Sequence, residues 1–217
     1  MADAPAAVVH LDVEVVTGGE VARRSDLVTV EEPLEIRLVY GPADHRVVRS
    51  VAVTMRTPGD DLALAVGFLH GEGVVRSIED VSAIDHDEPP DPDKGIRNVV
   101  RIELAPTAVF DADILSRNFY TSSSCGVCGK TSIDAVRVKI PDFPRRDTFA
   151  IDHEILGALP ERLTHRQEMF ARTGGLHASG AFDASGQIVT VSEDVGRHNA
   201  LDKLVGGYLS EGKLPLS

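Results

Sequence analysis

Positive charge, long apolar runs and cysteine are all in short supply in this 217-residue chain. Lysine and arginine total 22 against 34 aspartates and glutamates, a formal net charge of -12. Such a balance repels a phosphate backbone and removes any general case for nucleic-acid binding, leaving room only for a local anion site. No stretch approaches the apolar length that spans a bilayer, and the start, Met1-Ala2-Asp3-Ala4-Pro5, has no basic region followed by an apolar run. No membrane association is expected, and cytosolic residence is the default. Only two cysteines occur; in a reducing compartment they are expected to be reduced, reactive or metal-bound rather than a structural disulfide. No internal repeat is visible. The rest is ordinary, with 42% hydrophobic residues, enough for one large or two small globular domains with a real core.

Both cysteines fall in one short stretch, Tyr120-Thr121-Ser122-Ser123-Ser124-Cys125-Gly126-Val127-Cys128-Gly129-Lys130-Thr131, as a single C-x-x-C. A helix start is expected to follow through Thr131-Ser132-Ile133-Asp134-Ala135. Amide N–H groups at a helix start carry partial positive charge and Lys130 adds a full one, so a thiolate at Cys125 forms more easily than in a free cysteine. Chemistry at sulfur is one reading. Half of a structural zinc site, a disulfide, or two small buried hydrophobes are the others.

Upstream, Val8 to Val16 alternates apolar and polar residues as a half-buried strand does. Val28 to Tyr40 continues the pattern, broken at Glu31-Glu32-Pro33, with Leu34, Ile36 and Leu38 on one face. A strand at Val51 to Met55 meets the turn Thr57-Pro58-Gly59-Asp60-Asp61, whose acidic residues suit a helix N-terminus. Leu62, Ala65, Val66 and Leu69 share one helical face, which predicts a short helix over Asp61 to His70. Strands at Val81 to Asp85 and Val99 to Leu104 follow. This order describes an α+β roll with one helix across a mixed sheet. A boundary is expected near Pro106 to Ala112, dividing the chain into domains 1–110 and 111–217. The second part predicts a strand at Val136, Val138 and Ile140, then a helix with Pro160 in its first turn that runs to Arg172 and is closed by Gly174-Gly175. Strands at His177 to Phe182 and Ile188 to Val191 form a hairpin, and a final helix carries Leu201, Leu204, Val205 and Tyr208 as its apolar stripe.

Three other chemistries compete at the C-x-x-C. Gly129-Lys130-Thr131 matches the end of a nucleotide P-loop, but Ser124 stands where the opening glycine belongs. A zinc deaminase pairs H-x-E with a later P-C-x-x-C, mimicked by His70-Gly71-Glu72 with Cys125 and Cys128, although Ser124 replaces the proline. Two thiolates and one imidazole would hold zinc with a position open for water. A thioredoxin-type dithiol wants a buried strand before the motif, and Asn118-Phe119-Tyr120-Thr121-Ser122 is a poor one.

A second constellation, Glu193-Asp194-Val195-Gly196-Arg197-His198-Asn199-Ala200, places glycine, arginine, histidine and asparagine at a helix start after a strand. These groups suit an anion or a polar ligand. Arg197 and Lys203 are equally explained as solvated helix charges paired with Glu193, Asp194 or Asp202. A third piece, Arg172-Thr173-Gly174-Gly175-Leu176-His177, supplies flexible backbone and a histidine, or simply a helix stop and a satisfied side chain.

Taken together with Glu31-Glu32-Pro33-Leu34, Thr57-Pro58-Gly59-Asp60, Gly67-Phe68-Leu69, Glu72-Gly73 and Ser124-Cys125-Gly126-Val127-Cys128-Gly129, these segments resemble, in order, the formate dehydrogenase accessory sulfurtransferase (FdhD) family of sulfur carrier proteins. The resemblance runs from about residue 31 to 206. It implies an α/β fold: a cytidine-deaminase-like three-layer domain preceded by a smaller α+β roll. Family members continue beyond the point matching Ser217, so the second domain is expected to be incomplete. The implied activity is a sulfurtransferase relay. A cysteine desulfurase passes sulfane sulfur to Cys125, which carries it as a persulfide to the molybdenum of Mo-bis-molybdopterin guanine dinucleotide for apo formate dehydrogenase. Cys128 assists release. Gly174, Gly175, His177, Gly196, Arg197, His198 and Asn199 are the expected cofactor-binding residues. No resident metal and a homodimer are expected. A zinc-dependent deaminase-like hydrolase and a non-catalytic cofactor-binding chaperone remain the alternatives.

Overall fold

Leu34, Ile36 and Leu38 alternate with polar residues, and each is fully buried; they set the inner face of the central sheet. The computed structural model describes residues 7–109, 150–214 and 216. Cys125, Cys128, the expected strand at Val136 to Ile140 and the preceding helix start lie outside the described residues. Strand β1 (Val8–Thr17) and strand β2 (Glu20–Thr29) form a separate antiparallel hairpin. Strand β3 (Glu32–Tyr40) pairs antiparallel with β4 (Val47–Arg56) and parallel with β6 (Val99–Leu104), while β5 (Val81–His86) flanks β6. The resulting sheet has the order β4-β3-β6-β5. Helix α1 (Asp61–Gly71) covers it, burying Leu64, Ala65, Val66 and Leu69 in one core with Leu34, Ile36, Leu38, Val100 and Ile102. This is the expected helix across a mixed sheet. The one long interrupted strand expected from Val28 to Tyr40 instead divides into β2 and β3, which belong to different sheets.

After residue 150 come helices α2 (His153–Thr164) and α3 (Glu168–Thr173), the hairpin of β7 (His177–Phe182) and β8 (Ile188–Asp194), and helix α4 (Arg197–Ser210). The single helix expected from Pro160 to Arg172 is thus two helices, and Pro160 lies inside the first rather than in its opening turn. An earlier start is fixed by Asp152, whose carboxylate accepts from the Glu154 N–H at 2.8 Å. The second helix begins where it does because a residue distant in sequence caps it. Glu193 on β8 accepts from the N–H groups of Met169 at 2.9 Å and Phe170 at 2.8 Å.

Helix α4 lies against α1, and Leu209 joins the core of the four-stranded sheet. Its buried residues are Asn199, Ala200, Lys203, Leu204, Gly206 and Leu209. The expected stripe is corrected at Leu201, which is 49% exposed. Two polar residues and a glycine take the inward face because hydrogen bonds satisfy the first two and the third allows close approach. Among the described residues, no helix is long and apolar enough to cross a membrane.

Candidate functional site

The motifs read separately from the sequence converge at the open end of the β7–β8 hairpin. Antiparallel register sets His177 opposite Asp194 and Ala178 opposite Glu193. The Gly174-Gly175 turn and the Gly196-Arg197-His198 helix start therefore sit beside one another. Gly174 ends α3 with φ +69, a left-handed position that other residues occupy at a cost. Its N–H donates to Phe170 O at 2.7 Å.

Asp194 holds this junction together. Its side chain is completely buried and accepts from four donors. Oδ2 takes the Thr57 N–H at 3.1 Å and Lys203 Nζ at 2.7 Å. Oδ1 takes the Gly196 N–H at 2.8 Å and Asn199 Nδ2 at 2.9 Å. Lys203 also donates to Thr57 O at 2.8 Å. The Thr57 hydroxyl accepts from the Val195 N–H at 3.2 Å, closing a ring of contacts between the β4–α1 turn and the β8–α4 turn. An ionised carboxylate and an ammonium group are tolerated in this buried position because each is paired and has its remaining valences filled.

Of the residues expected to bind cofactor, Asn199 is committed internally. Its Nδ2 also donates to Met55 O at 2.7 Å, and its Oδ1 accepts from Thr54 Oγ1 at 3.3 Å. Lys203 is buried in an ion pair with Asp194, one of the partners considered for it, and is not a solvated helix charge. Arg197 is exposed at the first helical position, and no carboxylate among the described residues pairs with it. His198 is half-buried, and its Nδ1 is buried without a hydrogen-bond partner among the described residues. His177 is exposed at the start of β7. The groups left to meet a ligand at this end are therefore Arg197, His198, His177 and the Gly174-Gly175 backbone.

A second polar junction underlies the first. Arg56, fully buried, grips Asp61 with both Nε (2.9 Å) and Nη2 (2.8 Å). It also donates to Glu32 O at 3.1 Å and Arg97 O at 3.1 Å. The acidic residue expected to favour the α1 N-terminus by its charge thus acts through a bidentate arginine pair. Asp60, the N-cap, makes no side-chain cap. His70, weighed above as a zinc ligand, places Nδ1 2.9 Å from Val75 O.

Sequence reasoning missed Thr57 as a bonding partner and Asp202 as a perturbed acid. Asp202 sits on α4 where it crosses α1, and burial, aided by the nearby Glu72 carboxylate, pushes its pKa up to about 7. The folded state thus holds a proton that the unfolded chain releases near pH 4. Stability associated with this group is full below that value and is lost as pH rises through about 7. Asp202→Asn is expected to flatten the fall in melting temperature between pH 5 and 8 and to raise it at pH 8, as measured by thermal unfolding across pH. Parallel pH profiles for the two proteins would contradict this.

The FdhD/NarQ family model matches residues 29–215. The "Sulfur carrier protein FdhD" of Streptomyces avermitilis is 47% identical over 204 residues, 92% of this chain and 68% of that protein. Its namesakes are 41% identical over 215 residues in Mycobacterium tuberculosis (97% of this chain, 75% of that one) and 37% over 208 residues in Saccharolobus solfataricus (96% and 72%). A crystal structure from Desulfotalea psychrophila, provisionally described as a formate dehydrogenase accessory protein, superposes with TM-score 0.62 at 20% identity, covering 94% of this chain and 70% of that one; this likeness speaks to the fold alone. By the family model and by relatives that align along nearly its whole length, this chain belongs to the FdhD/NarQ family.

Proposed function

We propose that the protein is a cytosolic sulfur carrier. It takes sulfane sulfur from a cysteine desulfurase onto Cys125 and delivers it to the molybdenum cofactor of a formate dehydrogenase. The observation that carries this reading is the convergence of Thr57, the Gly174-Gly175 turn and the Gly196-Arg197-His198 helix start at one place in a member of a sulfur-carrier family.

In the first step the Cys125 thiolate attacks the terminal sulfur of the desulfurase persulfide. A new S–S bond forms on Cys125, and the desulfurase cysteine departs as a thiolate. Attack of the Cys128 thiolate on Cys125 Sγ would then release the carried sulfur as sulfide and leave a Cys125–Cys128 disulfide for later reduction. Arg197, His198, His177 and the Gly174-Gly175 backbone would receive the phosphates and guanine of the molybdopterin guanine dinucleotide substrate. Arginine and helix-start N–H groups suit phosphate oxygens. Asn199 and Gly196 contribute by holding that helix start in place through Asp194. The deaminase-like layering of the second part belongs to this same reading.

Intact-mass spectrometry after incubation with a cysteine desulfurase and cysteine tests the relay. One added sulfur on the wild type, absent from Cys125→Ala, is the expected result. Titration with GDP in the same preparations is expected to show weaker binding for Arg197→Ala and His198→Ala. No added sulfur alongside unimpaired GDP binding would replace the carrier with a non-catalytic cofactor-binding chaperone, and a bound stoichiometric zinc would favour the hydrolase.

A further inference from the structure

At the far end of the β7–β8 hairpin from the convergent motifs, about 17–20 Å along the strands, lies a shallow cleft of about 290 Å³. Arg162, His165, Arg166, Gly186, Gln187 and Ile188 line it. Arg162 and Arg166 are exposed, yet neither is loose. Arg162 Nη1 donates to Ser185 O at 2.9 Å and to Gly186 O at 2.8 Å. Arg166 Nη1 donates to Ile188 O at 2.9 Å. Each guanidinium is pinned by one nitrogen to the hairpin and keeps its other N–H groups for a ligand. His165, one helical turn from Arg162, is fixed through Nδ1 on Glu161 O at 2.9 Å.

Among the described residues, these two arginines lack the acidic partner that several others in the chain have. Arg37 and Arg101 on the outer face of the sheet, and Arg56 inside it, each meet a carboxylate. Among the described residues no carboxylate lies within ion-pair distance of Arg162 or Arg166. Asp183, in the adjoining turn, is occupied within it, accepting from Ser185 N at 2.9 Å, Ser185 Oγ at 2.6 Å and Gln187 N at 3.0 Å. Arg162 nonetheless helps to keep its pKa below the ordinary value. The cleft is open rather than enclosed, unlike most small-molecule sites, and two guanidinium groups are among its lining. Planar guanidinium forks match planar carboxylates bidentately.

We infer that the Arg162–His165–Arg166 cleft, set against the β7–β8 turn, is a docking site for an acidic peptide segment on a partner protein. On a molecule of net charge -12, an acidic partner is repelled over most of the surface, so this cleft fixes where and in what orientation it lands. The inference stands independently of the sulfur-carrier reading.

Fluorescence anisotropy of a labelled hexaglutamate peptide, with hexaglutamine as control, tests it on the full chain. Wild type is expected to bind hexaglutamate and not hexaglutamine, with affinity falling as salt rises from about 50 to about 200 mM. Arg162→Gln/Arg166→Gln is expected to lose at least about ten-fold in affinity, the scale of lost charge-assisted hydrogen bonds. Because Arg162 also supports the turn, Arg166→Gln alone should show a smaller loss, with thermal unfolding reporting that it is folded. Arg23→Gln, on β2 and outside the lining of the cleft, should bind as the wild type does. Equal binding of hexaglutamine, or undiminished hexaglutamate binding in folded Arg166→Gln and in the double variant, would overturn the inference. So would displacement of the peptide by inorganic pyrophosphate at lower concentration than by free hexaglutamate, which would make the cleft a small-anion site.

Discussion

Lys203→Met should destabilise the protein by about 3–5 kcal/mol, the range found when one partner of a buried ion pair is removed. Nothing in the position of Lys203 within a polar-looking helix announces this. Its side chain is 3% exposed and lies 2.7 Å from an Asp194 carboxylate with no exposure at all. After the substitution Asp194 keeps the Thr57 and Gly196 N–H groups and the Asn199 amide, which soften but do not cancel the cost of an unpaired buried anion. Asp194→Leu should be at least as damaging, since it also strands those three donors. The double variant Asp194→Leu/Lys203→Met is expected to recover part of the loss, because a buried pair replaced by apolar groups no longer carries uncompensated charge. Urea unfolding of the two single variants and the double variant measures the coupling. A loss below about 1 kcal/mol in both single variants would mean that the pair behaves as a surface ion pair does.

The second large effect is expected at the crossing of α1 and α4. A Cβ on Gly67 would lie 1.9 Å from Asp202 O, and one on Gly206 would lie 1.9 Å from Ala63 O. The obstructing atoms are helix backbone and cannot swing aside. Alanine at either position must push the helices apart, and overpacking of this kind costs about 1–3 kcal/mol and sometimes more. The larger figure is expected here because α4 also carries Asn199 and Lys203, whose bonds to Met55 O and Thr57 O would stretch as the helix moves. Gly207→Ala supplies the control. An added Cβ there meets nothing within 4 Å, so the change should be neutral or stabilising by up to about 1 kcal/mol through the helical preference for alanine. Similar melting temperatures for Gly67→Ala, Gly206→Ala and Gly207→Ala would rule out a close-packed crossing.

Both predictions come from positions that sequence patterns do not flag. Hydrophobic periodicity selects Leu201, Leu204, Val205 and Tyr208 as the inward stripe of α4, and Leu204 is indeed buried. Leu201 is half exposed, while Tyr208 turns its hydroxyl to Thr190 Oγ1 at 2.9 Å. Apolarity is a guide to burial only where burial is apolar. On this helix half of the buried positions are a paired ammonium, a fully bonded amide and a glycine without side chain. The same limit explains the miscounted helices near Pro160. Local signals place a proline at a helix start, but the break between α2 and α3 depends on a Glu193 cap that arrives from a strand more than twenty residues later.

What the sequence by itself determined is therefore whatever rests on short-range pattern. That includes the period-two strands β1, β3, β5 and β6, the helix at Asp61, the hairpin at Asp183 to Gln187, and the ordered motifs that mark the family. Composition alone showed that any anion site must be local, because the chain as a whole is acidic. Tertiary structure alone decided which motif residues are consumed in holding the motifs together and which are left uncommitted. Asp194, Asn199, Lys203 and Thr57 carry ligand-like chemistry, yet each spends it on another segment of the chain. Hydrogen-bonding capacity is visible in a residue's name, but its partner is fixed only when distant turns are brought within about 3 Å of each other.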